Sequence, residues 1–270
     1  MLAQRMFRPV PGANRSTVSK TYQLCLRYAS NTSFKAEKPE SIKTLAIPLG
    51  VEKKPAITDN DGVDHRTKEE KKRDFTDMDK NRARREELKR EFARSTFAPI
   101  YQFRDTGGKI FRGPAIPFNA KEALYMPNLR GHTLDKLETG TWQFIGEKPT
   151  VVRLFGSTLA EKQLESYTDG IDFENLGAML LDVNVPTNFV NECLVKLSSN
   201  KLKQTLKGNY HKYMICRKGI TPEVRDSIAA GNPLAGYLYV LDSQGKIRWA
   251  TAGPAEAGEA ETVQSLLVSK

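Results

Sequence analysis

Cysteine is scarce in this 270-residue chain: Cys25, Cys193 and Cys216 make an odd total at no close spacing. That argues against a secreted disulfide framework and for a reducing compartment. No run reaches the ~18 apolar residues of a spanning helix, so contact with a membrane has to come from the side. The three histidines, His65, His132 and His211, stand apart without zinc-ligand spacing. No Walker loop, no Gly-x-Gly-x-x-Gly and no Gly-x-Ser-x-Gly occurs, so neither a nucleotide site nor a nucleophile elbow can be placed, and no cofactor is expected. Acidic residues are missing from the first thirty positions, where Arg5, Arg8, Arg15, Lys20 and Arg27 carry half of the net charge of +10.

That acid-free, Arg-bearing start, with Ser, Thr and scattered Leu, Met, Phe and Tyr, has the pattern of a mitochondrial presequence. Residues 1–30 are read as that presequence, with cleavage near Arg27 to Ser30. Pro9, Pro11, Asn14 and Arg15 interrupt any secretory apolar block. Residues 31–66, rich in Pro, Lys, Glu, Ser and Asp, read as a mobile connector in which the patch Leu45-Ala46-Ile47-Pro48-Leu49 can dock locally. Residues 67–96 read as a charged helical arm, free of Pro and Gly from Thr67 to Arg94. Asp64 to Ser95 holds twelve basic and nine acidic residues, so a phosphate-tracking surface would be broken by its own carboxylates. Nucleic acid is therefore not the expected partner, although RNA binding by this arm is a reading that salt dependence would test.

Residues 97–149 carry the most informative stretch. Ile100 to Arg104 and Lys109 to Arg112, around Asp105-Thr106-Gly107-Gly108, read as a short hairpin. From Arg112 to Leu134 three prolines and two glycines forbid a long helix or a central strand. An ordered, irregular segment is expected there. Pro127 fixes one backbone angle, Gly131 permits unusual ones and Asn128 bonds its own neighbourhood, so Tyr125 and Leu129 would be held at low entropic cost. They are expected either to anchor an apolar client or to pack the segment against its own domain.

The pattern Tyr125-x-Pro127-Asn128-Leu129-x-Gly131-x-Thr133-Leu134, with Phe111-Arg112 and Pro117 upstream, resembles the mitochondrial ATPase complex assembly factor ten family. The resemblance covers Phe97 to the C-terminus. It implies a matrix-side, peripheral inner-membrane assembly factor for the membrane sector of ATP synthase. The client it implies is the newly made proton-channel subunit, subunit a or 6, which is guided onto the c ring. The family brings no active site, so the implied partner-binding residues are only those of its motif: Arg112, Tyr125, Pro127, Asn128, Leu129 and Gly131.

Residues 150–270 alternate strand and helix signals. Thr150 to Phe155 reads as a strand running into Gly156-Ser157-Thr158, whose hydroxyls can cap a helix from Leu159 to Tyr167. Ala178 to Val185 is a second strand. A helix with Phe189, Cys193 and Leu197 on one buried stripe follows. Tyr213 to Cys216 is a short strand, Thr221 to Ala230 a helix, Tyr237 to Trp249 a hairpin and Ala255 to Val268 the last helix. This order gives an α/β, thioredoxin-like mixed sheet flanked by helices.

A thioredoxin-like enzyme keeps its reactive thiol at the turn after the first strand, where the helix dipole lowers its pKa. Here that turn reads Gly156-Ser157-Thr158-Leu159-Ala160. The chain is therefore expected not to be an enzyme. A mitochondrial thiol oxidoreductase or peroxidase, using Cys216 beside Arg217 and Lys218, is the alternative from another class.

Overall fold

The computed structural model describes residues 42–60, 67–82, 85–86, 98–186, 195, 197–206 and 211–268. The presequence, Cys25 and Cys193, the Glu86–Arg90 helix pairing and most of the stripe through Phe189 fall outside these residues.

Among the described residues nine strands form one sheet: β1 (Lys43–Thr44), β2 (Phe111–Arg112), β3 (Arg130–Thr133), β4 (Glu138–Gly140), β5 (Thr150–Phe155), β6 (Met179–Asn184), β7 (Tyr213–Gly219), β8 (Tyr237–Leu241) and β9 (Ile247–Ala252). Their spatial order is β1-β2-β9-β8-β5-β6-β7-β3-β4. At its centre β5, β6 and β7 run parallel, while β8 lies antiparallel to β5 and β9 antiparallel to β8. Six helices are labelled α1 (Lys68–Thr76), α2 (Ala98–Asp105), α3 (Thr158–Thr168), α4 (Ser199–Leu206), α5 (Pro222–Ser227) and α6 (Glu259–Val268). A β5-α3-β6 crossover, a closing β8-β9 hairpin and a C-terminal helix on a mixed sheet make the fold thioredoxin-like.

Local chemistry explains the elements. Thr150 to Phe155 is buried at every position, the mark of a strand covered on both faces. Ser157 Oγ accepts the Ala160 amide and starts α3. Thr221 caps α5, with Pro222 in its first turn where no amide is needed. Thr67 and Glu70 cap α1 reciprocally, each side chain bonding the other's backbone amide. The charged arm is not one helix: α1 stops at Thr76, and Asp77, whose Oδ1 accepts the Asp79 amide at 3.0 Å, opens a further helical stretch over 78–82.

Two apolar layers sandwich the sheet. On one face Val151, Phe155, Tyr213, Leu238 and Val240 meet Ala160, Leu164 and Tyr167 of α3 and Val263 and Leu267 of α6. On the other, Val152, Leu154, Leu181, Val183 and Tyr239 meet Leu49, Met126, Leu129, Trp142 and Ile145. The segment before residue 150 therefore supplies the second layer, and it also extends the sheet at both edges through β1-β2 and β3-β4. It is continuous with the domain that follows it.

Three further expectations need correction. The hairpin around Asp105-Thr106-Gly107-Gly108 is instead the end of α2, with Gly107 and Gly108 at φ +63° and +89° and the Gly108 amide bonded to Phe103 O at 2.7 Å. The glycines serve a helix C-terminus, a role that shares its signature with a hairpin turn. The connector is not loose over 42–60: Leu49 is buried and the Leu45 amide bonds Arg112 O at 2.9 Å. Leu197, assigned to a buried stripe, is 81% exposed, and Val195 packs inward instead.

Candidate functional site

Arg112 grips Glu256 through Nε (2.5 Å) and Nη2 (3.1 Å), which raises its pKa. Just beyond it Gly113 lies flat on the Trp249 ring, where an added Cβ would sit 2.1 Å from Cζ2. The chain then runs along β9: Phe118 N bonds Arg248 O, Ile247 N bonds Leu124 O, and Met126 N bonds Gly245 O. Tyr125 is half-buried, 6.2 Å from the Trp142 ring, with Lys246 Nζ 5.2 Å from its own centroid. It bridges Val51 on one side and Lys246 on the other.

Asn128 is a buried junction. Its Nδ2 donates to Ile57 O (2.9 Å) and Asp59 O (2.7 Å), and its Oδ1 accepts the Trp142 amide at 3.2 Å. Asn60 Nδ2 in turn donates to Asn128 O at 2.9 Å. One side chain thus ties residues 57–60 to the turn at Thr141 and Trp142. Leu129, fully buried, enters the core between them, its amide on Thr141 Oγ1 at 3.0 Å. Gly131 sits at a register shift between β3 and β7, where a Cβ would lie 2.3 Å from Ile215 O.

The six motif residues do not converge on one surface. Arg112 lies on β2 near one edge of the sheet and Gly131 on β3 near the other. Pro127, Asn128 and Leu129 are buried. Of the two anchors expected for a client, Leu129 is a core residue, and Tyr125 alone keeps partial access to solvent. The apolar side chains that do reach solvent include Ile116 at 81%, on the Pro114–Pro117 loop, and Ile100 and Tyr101 on α2. Nothing in the periodicity of an irregular segment distinguishes Ile116 from Leu129.

At the N-terminus of α3, where the helix dipole would lower a thiol's pKa, stands Ser157, used as a helix cap. Cys216 is fully buried and its thiol donates to Arg130 O at 2.8 Å, the setting of an inert core sulfur. Cys216 is the one cysteine among the described residues.

Two buried ion pairs had no signal in the sequence. Lys109, 2% exposed, contacts Tyr167 OH (2.8 Å), Thr251 Oγ1 (3.0 Å), Pro254 O (3.0 Å) and the Glu259 carboxylate. Burial pulls its pKa down. Glu259 also accepts the Gly113 and Glu256 amides, and although burial would raise its pKa these donors hold it below the usual carboxylate value. Arg153 pairs with Asp182 and Thr168 beneath α3. A cleft of about 160 Å³ lies between His132 to Leu134, Lys136, Ser199 and Ile215, beside the Lys203–Asp135 pair at 2.6 Å. Among the described residues no cluster of His, Cys, Asp and Glu has metal-holding geometry.

Fold and site together define a thioredoxin-like scaffold whose helix cap is a serine and whose second face is covered by its own N-terminal segment. The chain belongs to the family described as ATP10 protein, whose sequence pattern matches residues 28–267. It is 34% identical over 194 residues to the mitochondrial ATPase complex subunit ATP10 of Candida glabrata, spanning 69% of this chain and 71% of that one. Its counterpart from Saccharomyces cerevisiae is 27% identical over 245 residues, 84% of this chain and 86% of that one. Among solved structures, a DsbF homologue from Corynebacterium diphtheriae aligns at TM-score 0.40 and 12% identity over 56% of this chain and 90% of its own. The peroxidoxin BcpB of Mycobacterium tuberculosis aligns at 0.38 and 11%, over 54% and 94%.

Proposed function

We propose that this protein is a non-enzymatic assembly factor for the membrane sector of the mitochondrial ATP synthase, working from the matrix side of the inner membrane. It binds newly made subunit a (subunit 6) and promotes its joining to the c ring. Family membership across nearly the whole chain supports the ATP synthase as the assembly served, since the relatives carry the name of mitochondrial ATPase complex subunits. The observation that carries the non-enzymatic part is Ser157: it caps α3 where a redox relative would place its thiol. Peripheral attachment is in keeping with the described residues, none of whose helices is long and apolar enough to cross a membrane. The role calls for no cofactor. Its mechanism is temporary cover, in which apolar side chains of the factor shield unfinished client helices until the proper partner displaces it.

The test is capture of the tagged chain from mitochondria whose own translation is being pulse-labelled. A labelled band at the position of subunit a is the expected result, and it should persist when Cys193 and Cys216 are both replaced by alanine. Loss of the band in the doubly substituted chain, or turnover of peroxide or disulfide by the purified protein, would favour an oxidoreductase.

A further inference from the structure

Helix α2 is held to the scaffold by few contacts. None of its residues is buried. Pro99 and Phe103, four apart, together with Thr106, face inward and are half-covered, and the Phe103 ring packs on the core. Asn232, 2% exposed, donates Nδ2 to Pro99 O at 2.9 Å and to Gln102 Oε1 at 3.0 Å. The surface beneath belongs to the segment leading into β8 and to α3, where Gln163 Oε1 accepts the Gly236 amide at 3.3 Å and its Nε2 lies beside Gly108. Because Tyr237 stands opposite Leu154, this is the end of the sheet at which α3 begins.

The chain on the far side of α2 is fixed in a different way. Lys109 is buried among Tyr167, Thr251, Pro254 and Glu259. Between the lightly held helix and this pinned lysine stand Gly107 and Gly108, both at positive φ, and nothing lies within 4 Å of a Cβ added at Gly107. Glycines tolerate the change of backbone angles that a hinge requires. An eight-residue helix is too short to persist in water, so α2 would melt once it left the surface.

We propose that α2 is a removable cover over a helix-docking site, formed by Asn232, Gln163 and the apolar patch that receives Phe103, and that an amphipathic helical segment of the newly made client displaces it. The inference rests on the assembly-factor reading and names its contact surface. The occupant follows from α2 itself, which shows what the site accepts: an aromatic side chain on one helix face, with a backbone carbonyl and a polar acceptor for Asn232. A client helix making more contacts on this surface than α2 shifts the population to the open form. Without a client, the cover keeps the patch from water.

Phe103→Ala in the full chain tests this, because it weakens the cover and leaves the site intact. Backbone amides of Thr106 to Gly108 should exchange about tenfold or more faster, with the amides of β5 and β8 unchanged. Capture of pulse-labelled client should rise severalfold over wild type. Ile100→Ser, on the outer face of α2, should change neither. Unaltered exchange, or capture that stays level or falls despite faster exchange, would overturn the proposal. So would loss of capture with Ile100→Ser, which would assign the contact to the outer face. A band missing from wild type and every variant sinks the assembly reading and this inference with it, whereas a wild-type band that Phe103→Ala fails to strengthen sinks this inference alone.

Discussion

Arg153 and Asp182 face each other across β5 and β6 with a two-pronged pair, Nε to Oδ1 at 2.7 Å and Nη2 to Oδ2 at 2.8 Å, almost closed to solvent. Thr168 accepts a third hydrogen bond, from Nη1 at 3.0 Å. Removing one partner strands the other charge inside, so Asp182→Leu or Arg153→Met alone should cost about 3–5 kcal/mol, while the two together should cost much less. Urea unfolding of the four chains of the cycle measures this. Equal losses in the single and double variants would mean that the pair's attraction, not its desolvation, dominates.

Leu129→Ala removes a fully buried side chain that joins the segment to Val152, Leu154 and Met214 in one layer. A loss of about 2–5 kcal/mol is expected. Denaturant unfolding should show it with no client present. A stable Leu129→Ala chain that fails only in client capture would restore the residue as a contact.

The strands and helices from Thr150 onward were legible because each carries its own local signal: a hydroxyl cap at Ser157, Pro222 in a first helical turn, a Gly-bearing turn before Ile247. The preceding segment was harder. Gly107-Gly108 signals a chain reversal in a helix end and a hairpin alike, and only tertiary context decides between them. Tyr125 and Leu129 look equivalent in sequence, yet one rests half-open on Trp142 and the other fills the interior. Likewise Lys109 and Glu259 lie 150 residues apart, and charge pattern cannot pair residues brought together by the fold.

Acid should unfold the protein partly through Glu259. Its folded pKa lies below the ordinary carboxylate value because the Glu256 amide, Lys109 and the Gly113 amide, acting together, outweigh burial. A depressed carboxylate pKa gives stability that is fully present above the unfolded value and is lost as pH falls through the folded one. Glu259→Gln should flatten that part of the stability-pH curve. It should also weaken the protein near neutrality by about 3–5 kcal/mol, because Lys109 is left buried and unpaired by charge. Thermal unfolding of both chains across the acid range provides the comparison, and parallel curves would exclude the carboxylate as the acid-sensitive group.

Gly131 serves close approach and not the unusual backbone angles expected of it, since its φ is not positive, while Gly231 shows neither need. At Gly131 the β3–β7 register slips by two residues on β7, and the backbone lies against Ile215, so that a Cβ would sit 2.3 Å from its carbonyl oxygen. Backbone, unlike a flexible side-chain end, cannot swing aside. Gly131→Ala should therefore strain the join between β3 and β7 and cost about 1–3 kcal/mol, as overpacking does. Gly231 has open space around its Cβ position and no positive φ. There alanine should be neutral, or stabilise by about 0.4–1 kcal/mol through a less flexible unfolded chain. Equal melting temperatures for the two variants would show that β7 can yield to the added methyl, and that the motif glycine is needed for something other than close approach.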